Sequence, residues 1–194
     1  MVIEQTKSLI HWNYFLALDS DIENLSRYID FSQDNFAAFS IEMAHLMLAA
    51  ASEVDVVAKL ICKNIDPSAK ANNITGYRRL LKKAFPNLSE MKVLMPRYGL
   101  KLEPWVNWKS NRTPEWWAYY NKVKHERDRY FKHANMKNTL NAVAALFIML
   151  LHFYINEANK GDLIPSPCLF RVEDRCFAGV DLGSGDVRFV YRIT

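Results

Sequence analysis

Glycine and proline are scarce in this chain, six and seven in 194 residues. That scarcity argues against a β-sandwich, which needs many tight turns, and against a Pro/Gly-rich disordered chain. Cysteine is scarcer still. Cys62, Cys168 and Cys176 form no close pair and no C-x-x-C spacing, so they read as free thiols in a reducing compartment. The opening residues, Met1-Val2-Ile3-Glu4-Gln5, lack a charged-then-apolar leader. The longest apolar stretch, Ala142 to Ile155, is too short to span a bilayer and contains His152. It reads as a buried helix, with no membrane involved. No convincing set of metal ligands is present, so no metal and no other cofactor is expected. What is there, 50% hydrophobic and 24% charged residues, suits one cytoplasmic globular domain with a small appendage.

Charge is unevenly distributed. Residues 1–66 hold four basic and ten acidic side chains, a balance of −6. Residues 67–112 hold ten basic and two acidic, a balance of +8. The remainder holds eleven basic and nine acidic, a balance of +2. A locally basic surface is an electrostatic footprint for phosphate-rich partners, and lysine-rich helix faces also serve solubility.

Hydrophobic periodicity predicts helices over most of the chain. Phe15, Leu18, Ile22, Leu25 and Ile29 recur at helical steps within 11–31. Residues 36–64 contain no Gly or Pro and are apolar nearly all round at Leu46–Ala51, which predicts a central helix. Glu42 and His45 interrupt that run and are expected to satisfy each other as a buried pair. Ile74, Tyr77, Leu81 and Phe85 form the inner face of a short basic helix carrying Arg78, Arg79, Lys82 and Lys83. Residues 87–112 read as irregular. They interleave Tyr98, Trp105 and Trp108 with Arg97, Lys101, Lys109 and Arg112, a mixture that suits base stacking or a connection pinned by its tryptophans. A last long helix covers 136–159, closed by Gly161. The tail changes period: 169–172, 177–182 and 187–193 read as strands of an antiparallel meander, with a turn at Gly183-Ser184-Gly185-Asp186. The fold class is mainly α: an antiparallel bundle of four to five helices over 1–162, with a small C-terminal antiparallel β meander over 163–194 packed on it.

The chain is organised around residues 113–133. Thr113, Pro114 and Glu115 suit the start of a helix. Four large aromatics follow at Trp116, Trp117, Tyr119 and Tyr120, then a polar cluster. Asn121 and His125 are one turn apart and face the same way, in a stripe with Trp117, Lys124 and Asp128. An imidazole beside an amide and cations on an aromatic wall can meet a phosphate or a base. The same stripe can equally be a solvated helix face with one histidine in it.

This order of elements, with Asn-x-x-x-His just before the last helix, resembles the HEPN superfamily (higher eukaryote and prokaryote nucleotide-binding domain) over about residues 11–160. The resemblance implies a homodimeric helical bundle that binds RNA or nucleotide. Many such proteins are metal-independent endoribonucleases of toxin–antitoxin or phage-defence systems, and others are inactive binding modules. The family motif is an arginine, a polar residue, a few further residues and a histidine. Asn121 and His125 match its last two elements, while Tyr120 stands where the arginine would be. Lys124 or Arg127 could supply the missing cation. Arg127 and His133 form an alternate literal match. The implied catalytic set is therefore His125, Asn121, Lys124 and Arg127, with Arg127 and His133 as the alternate pair. Arg78, Arg79, Lys82, Lys83, Lys124 and Arg127 are the expected nucleic-acid contacts. A non-catalytic homodimeric helical interaction protein is the second reading, which Tyr120 favours. The resemblance does not specify an antitoxin or other protein partner.

Overall fold

The computed structural model describes residues 8–183 and 186–193. The protein is mainly helical with small antiparallel sheets. The helices are α1 (Ile10–Leu25), α2 (Ile41–Ile65), α3 (Ile74–Ala84), α4 (Glu115–His125), α5 (Arg127–Tyr130), α6 (Met136–Phe153) and α7 (Ile155–Lys160). The strands are β1 (Val93–Met95), β2 (Leu100–Leu102), β3 (Arg171–Val172), β4 (Phe177–Gly183) and β5 (Asp186–Tyr191).

The centre is α6, with α2 packed along it. Met136–Phe153 is long and apolar enough to cross a membrane, but 83% of it is buried within the fold. A helix apolar on every face must be covered on every face. Ala44, Ala50, Ala51 and Ala58 of α2 are buried. Small side chains of this kind let neighbouring helices approach closely. Thr139 Oγ1 on α6 donates to the Met43 carbonyl at 3.0 Å, so the one hydroxyl in this interface is satisfied. α1 and α4 cover further faces of the α2–α6 pair, and α3 lies against α2.

Several elements differ from the sequence expectation. α2 starts at Ile41 rather than Phe36, because Ser40 caps it by accepting the Met43 N–H at 3.1 Å. The preceding residues bond elsewhere: Met136 N–H donates to Ala38 O at 2.9 Å and Lys137 N–H to Phe36 O at 3.2 Å. Backbone groups paired this way are not free to extend a helix. The 87–112 segment is not wholly irregular. β1 and β2 form a hairpin through Gly99, whose φ of 63° suits a residue without Cβ. Trp105 and Trp108 are fully buried with ring centroids 4.3 Å apart, so they pin the connection and offer no face for base stacking.

The tail is not a three-stranded meander. Only β4 and β5 pair with each other. β3 joins β1 instead, giving the order β2-β1-β3. The buried Asp19 carboxylate on α1 steers that segment, accepting Cys168 N–H at 2.6 Å and Leu169 N–H at 3.2 Å. Ser184 and Gly185 of the expected turn lie outside the described residues. The last helix breaks at Tyr154 into α6 and α7, and Gly161 closes α7 with φ 74°.

Candidate functional site

The predicted helix over 113–133 ends at His125. Glu126, with φ −138° and ψ 52°, leaves the helical region, and α5 follows as a separate turn. No glycine or proline causes the break. Lys124 to Arg129 are six consecutive charged or imidazole side chains, with nothing apolar to anchor a helix on the core. The next apolar groups dock elsewhere: Phe131 meets Phe39 edge-on, with centroids 5.5 Å apart. The start also departs from expectation. Pro114 takes the N-cap position rather than the first helical one, and no side chain caps the helix.

α4 buries Trp116, Trp117, Tyr120 and Val123. Trp116 Nε1 donates to Pro104 O at 2.8 Å, so the indole polar group is satisfied. The Asn121–His125 stripe lies on the flank of this buried face. Asn121 is half-buried, and its Nδ2 donates to the Trp117 carbonyl one turn back at 3.0 Å. His125 is exposed and makes no hydrogen bond to the described residues, so the two do not form a buried structural pair. Tyr120, at the motif's arginine position, is a core residue 6% exposed. Its ring carries a cation all the same: Lys124 Nζ stands 5.6 Å from the ring centroid. Lys122 Nζ lies 5.4 Å from the Tyr119 ring and 5.0 Å from the Tyr130 ring. Tyrosine faces thus hold two ammonium groups in the same helix turn as His125. The negative end of α4 favours cations there as well.

The alternate pair is not assembled. His133 is stacked on Tyr119, with centroids 3.8 Å apart and planes 9° apart. Burial, and then the Lys132 and Lys122 charges, push its imidazole below the usual range. Arg127 instead lines an open recess of about 520 Å³ with Ile41, Ala44, His45, Asp128 and Phe131. The expectation of a buried Glu42–His45 pair fails here. Both side chains are more than half exposed, and His45 Nδ1 is 3.7 Å from Glu42 Oε2. The reason is that the first turn of α2 turns Met43 and Ala44 to the core, which leaves Glu42 and His45 with Ile41, 67% exposed, on the outer face. His45 and Arg127 thus line one recess together with Asp128, a grouping the sequence did not indicate. No sequence signal linked them, since they come from different helices.

The expected nucleic-acid contacts fall in two places. Arg78, Arg79 and Lys82 line a recess of about 540 Å³ on α3 together with Lys70, whereas Lys124 and Arg127 do not. Lys83 is exposed but does not line that recess. Asn111 of the recess precedes α4 and His125 ends it, with about 15 Å of helix rise between the two ends. Among the described residues no three His, Cys, Asp or Glu side chains cluster as a metal-binding group. Compared with family models, curated proteins and solved structures, the chain matches none significantly.

Proposed function

We propose that this is a HEPN-like RNA- or nucleotide-binding protein, built on a four- to five-helix bundle, that acts as a metal-independent endoribonuclease at the α4–α5 edge. The observation that carries the reading is the exposed imidazole of His125, without a hydrogen-bond partner among the described residues, in the helix turn where the Tyr120 ring holds Lys124. Lys124 takes the part of the missing motif arginine. In the reaction, His125 accepts the proton of a ribose 2′-hydroxyl. The 2′-oxygen attacks the adjacent phosphorus, and the 5′-oxygen leaves and is protonated. The products are a 2′,3′-cyclic phosphate and a free 5′-hydroxyl. Lys124 and Lys122 stabilise the charge that builds on the phosphate. Three free cysteines agree with a reducing, cytoplasmic setting, and a defence or toxin system is the role the resemblance implies.

The test pairs RNA cleavage with thermal melting of His125→Ala. Cleavage should fall about 10²–10⁴-fold, the usual cost of losing a general acid or base. The melting temperature should hold, because the side chain is exposed and unpaired. A wild type without ribonuclease activity would retire the enzyme.

A second reading is a non-catalytic homodimeric interaction module. Its support is the apolar surface around the Arg127 recess, where Phe39 is 50% and Ile41 67% exposed. A second copy covering that face would be an isologous dimer, with two His125 edges lining one groove. A monomer mass by light scattering across a wide concentration range would end the dimer proposal.

A further inference from the structure

The recess on α3 is lined by cations at every side. Lys70 comes from the loop before the helix, and Arg78, Arg79 and Lys82 from the helix itself. Among the described residues no carboxylate lines it, and neither does any aromatic or large aliphatic side chain. The remaining wall is Asn73, Thr75, Gly76 and Asn111. Such a lining is rich in groups that hold anions and brings no counter-charge to them.

Two of the four cations have structural work. Arg78 donates to the Asn111 carbonyl, and Lys82 Nζ donates to the Trp108 carbonyl at 2.8 Å and to Asn111 Oδ1 at 3.2 Å. These bonds tie α3 to the turn before α4, where Asn111 takes φ 57°. Their charges are not neutralised, because the acceptors are carbonyl oxygens. Lys70 and Arg79 have no ion-pair or hydrogen-bond partner among the described residues. Elsewhere basic groups do find carboxylates: Arg97 pairs with Glu23 at 3.2 Å, and Arg175 with Glu173 at 2.9 Å. The recess also receives the N-terminal end of α3, an eleven-residue helix capped by Asn73 Oδ1 on the Gly76 N–H. That cap occupies the Gly76 amide, so those of Ile74 and Thr75 are the first-turn amides left without an acceptor in the helix, where the helix dipole is positive.

We infer that this recess is an oligophosphate-binding site, separate from the His125 edge, that holds adjacent phosphoryl groups. Each phosphoryl group brings roughly one to two negative charges. A chain of three can engage Lys70, Arg79 and the α3 amides at once, with Arg78 and Lys82 adding field from their fixed positions. The chemistry is shared by the 5′-triphosphate end of an RNA and by a free nucleoside triphosphate. The site does not depend on catalysis at His125.

The experiment titrates the full-length protein with tripolyphosphate by calorimetry at low salt. One-to-one binding that weakens as salt rises is expected. Arg79→Gln and Lys70→Gln should each weaken it roughly tenfold or more, the usual worth of a charged hydrogen bond, at unchanged melting temperature. Lys63→Gln removes one charge from the exposed end of α2, outside the recess, and should leave the affinity unchanged. Absence of saturable binding overturns the site. So does an equal loss in Lys63→Gln, which would mean diffuse attraction by a basic surface. His125→Ala should bind tripolyphosphate like the wild type, so failure of the nuclease reading and failure of this one are separate results. Given binding, ATP and one RNA sequence with a 5′-triphosphate or a 5′-hydroxyl tell the sources apart. A triphosphate RNA tighter than both others identifies an RNA end, and ATP as tight as the triphosphate RNA identifies a nucleotide.

Discussion

His152 shows how one side chain can carry a pH dependence. It is 4% exposed, its Nδ1 donates to the Ile148 carbonyl at 2.8 Å, and the Phe85 ring stands edge-on 4.6 Å away. Burial pushes its imidazole down to about 4, only partly opposed by the Ile148 carbonyl. In the unfolded chain the group returns to about 6.5. Between those values the unfolded chain binds a proton that the folded chain refuses, so stability rises with pH in that window. The contribution is complete above about 6.5 and is lost as pH falls to about 4. Its full size is about 3 kcal/mol. Denaturation of wild type and His152→Leu at a series of pH values isolates it, since carboxylates titrate in both. Wild-type stability should fall more steeply than the variant's over this window. Parallel curves would mean the imidazole is not held neutral. The sequence marked His152 only as an interruption in an apolar run. It showed Asn121 and His125 sharing a helix face, because that follows from spacing alone. It did not show His45 and Arg127 lining one recess, since that requires knowing how α2 and α5 meet.

Elements whose signals are local were legible. α3 follows its apolar spacing, with Tyr77 and Leu81 buried, and α7 stops at its glycine. Elements set by distant partners were not. β1 and β2 are three residues each and are stabilised by β3, far along the chain. The end of α4 depends on where Phe131 finds Phe39. The placement of β3 depends in turn on Asp19. Asp19→Ala should leave the Cys168 and Leu169 amides unsatisfied near the core and cost about 3 kcal/mol. Urea unfolding measures this, and hydrogen exchange should show faster exchange at Cys168 and Leu169 than in α6. A loss below about 0.5 kcal/mol would mean that the β1–β3 pairing alone holds the tail.

Across the whole molecule, charge is segregated along the chain and local basic surfaces remain in the fold. The acidic first third supplies Glu23 to Arg97, but no carboxylate reaches the α3 recess. The two basic places stand on different elements, the recess on α3 and the other at the end of α4, one with an imidazole and one without. Under the two proposals this division would separate holding from cutting, with phosphate charge taken at the recess and protons moved at the His125 edge. The central claim is that the His125 edge activates a ribose 2′-hydroxyl without a metal. The most direct measurement is cleavage of an RNA oligonucleotide in excess chelator, beside the same sequence made with 2′-deoxyribose. The account predicts that the RNA is cut to fragments ending in a 2′,3′-cyclic phosphate while the deoxy strand stays whole. Intact RNA, or a deoxy strand cut at the same rate, would contradict it.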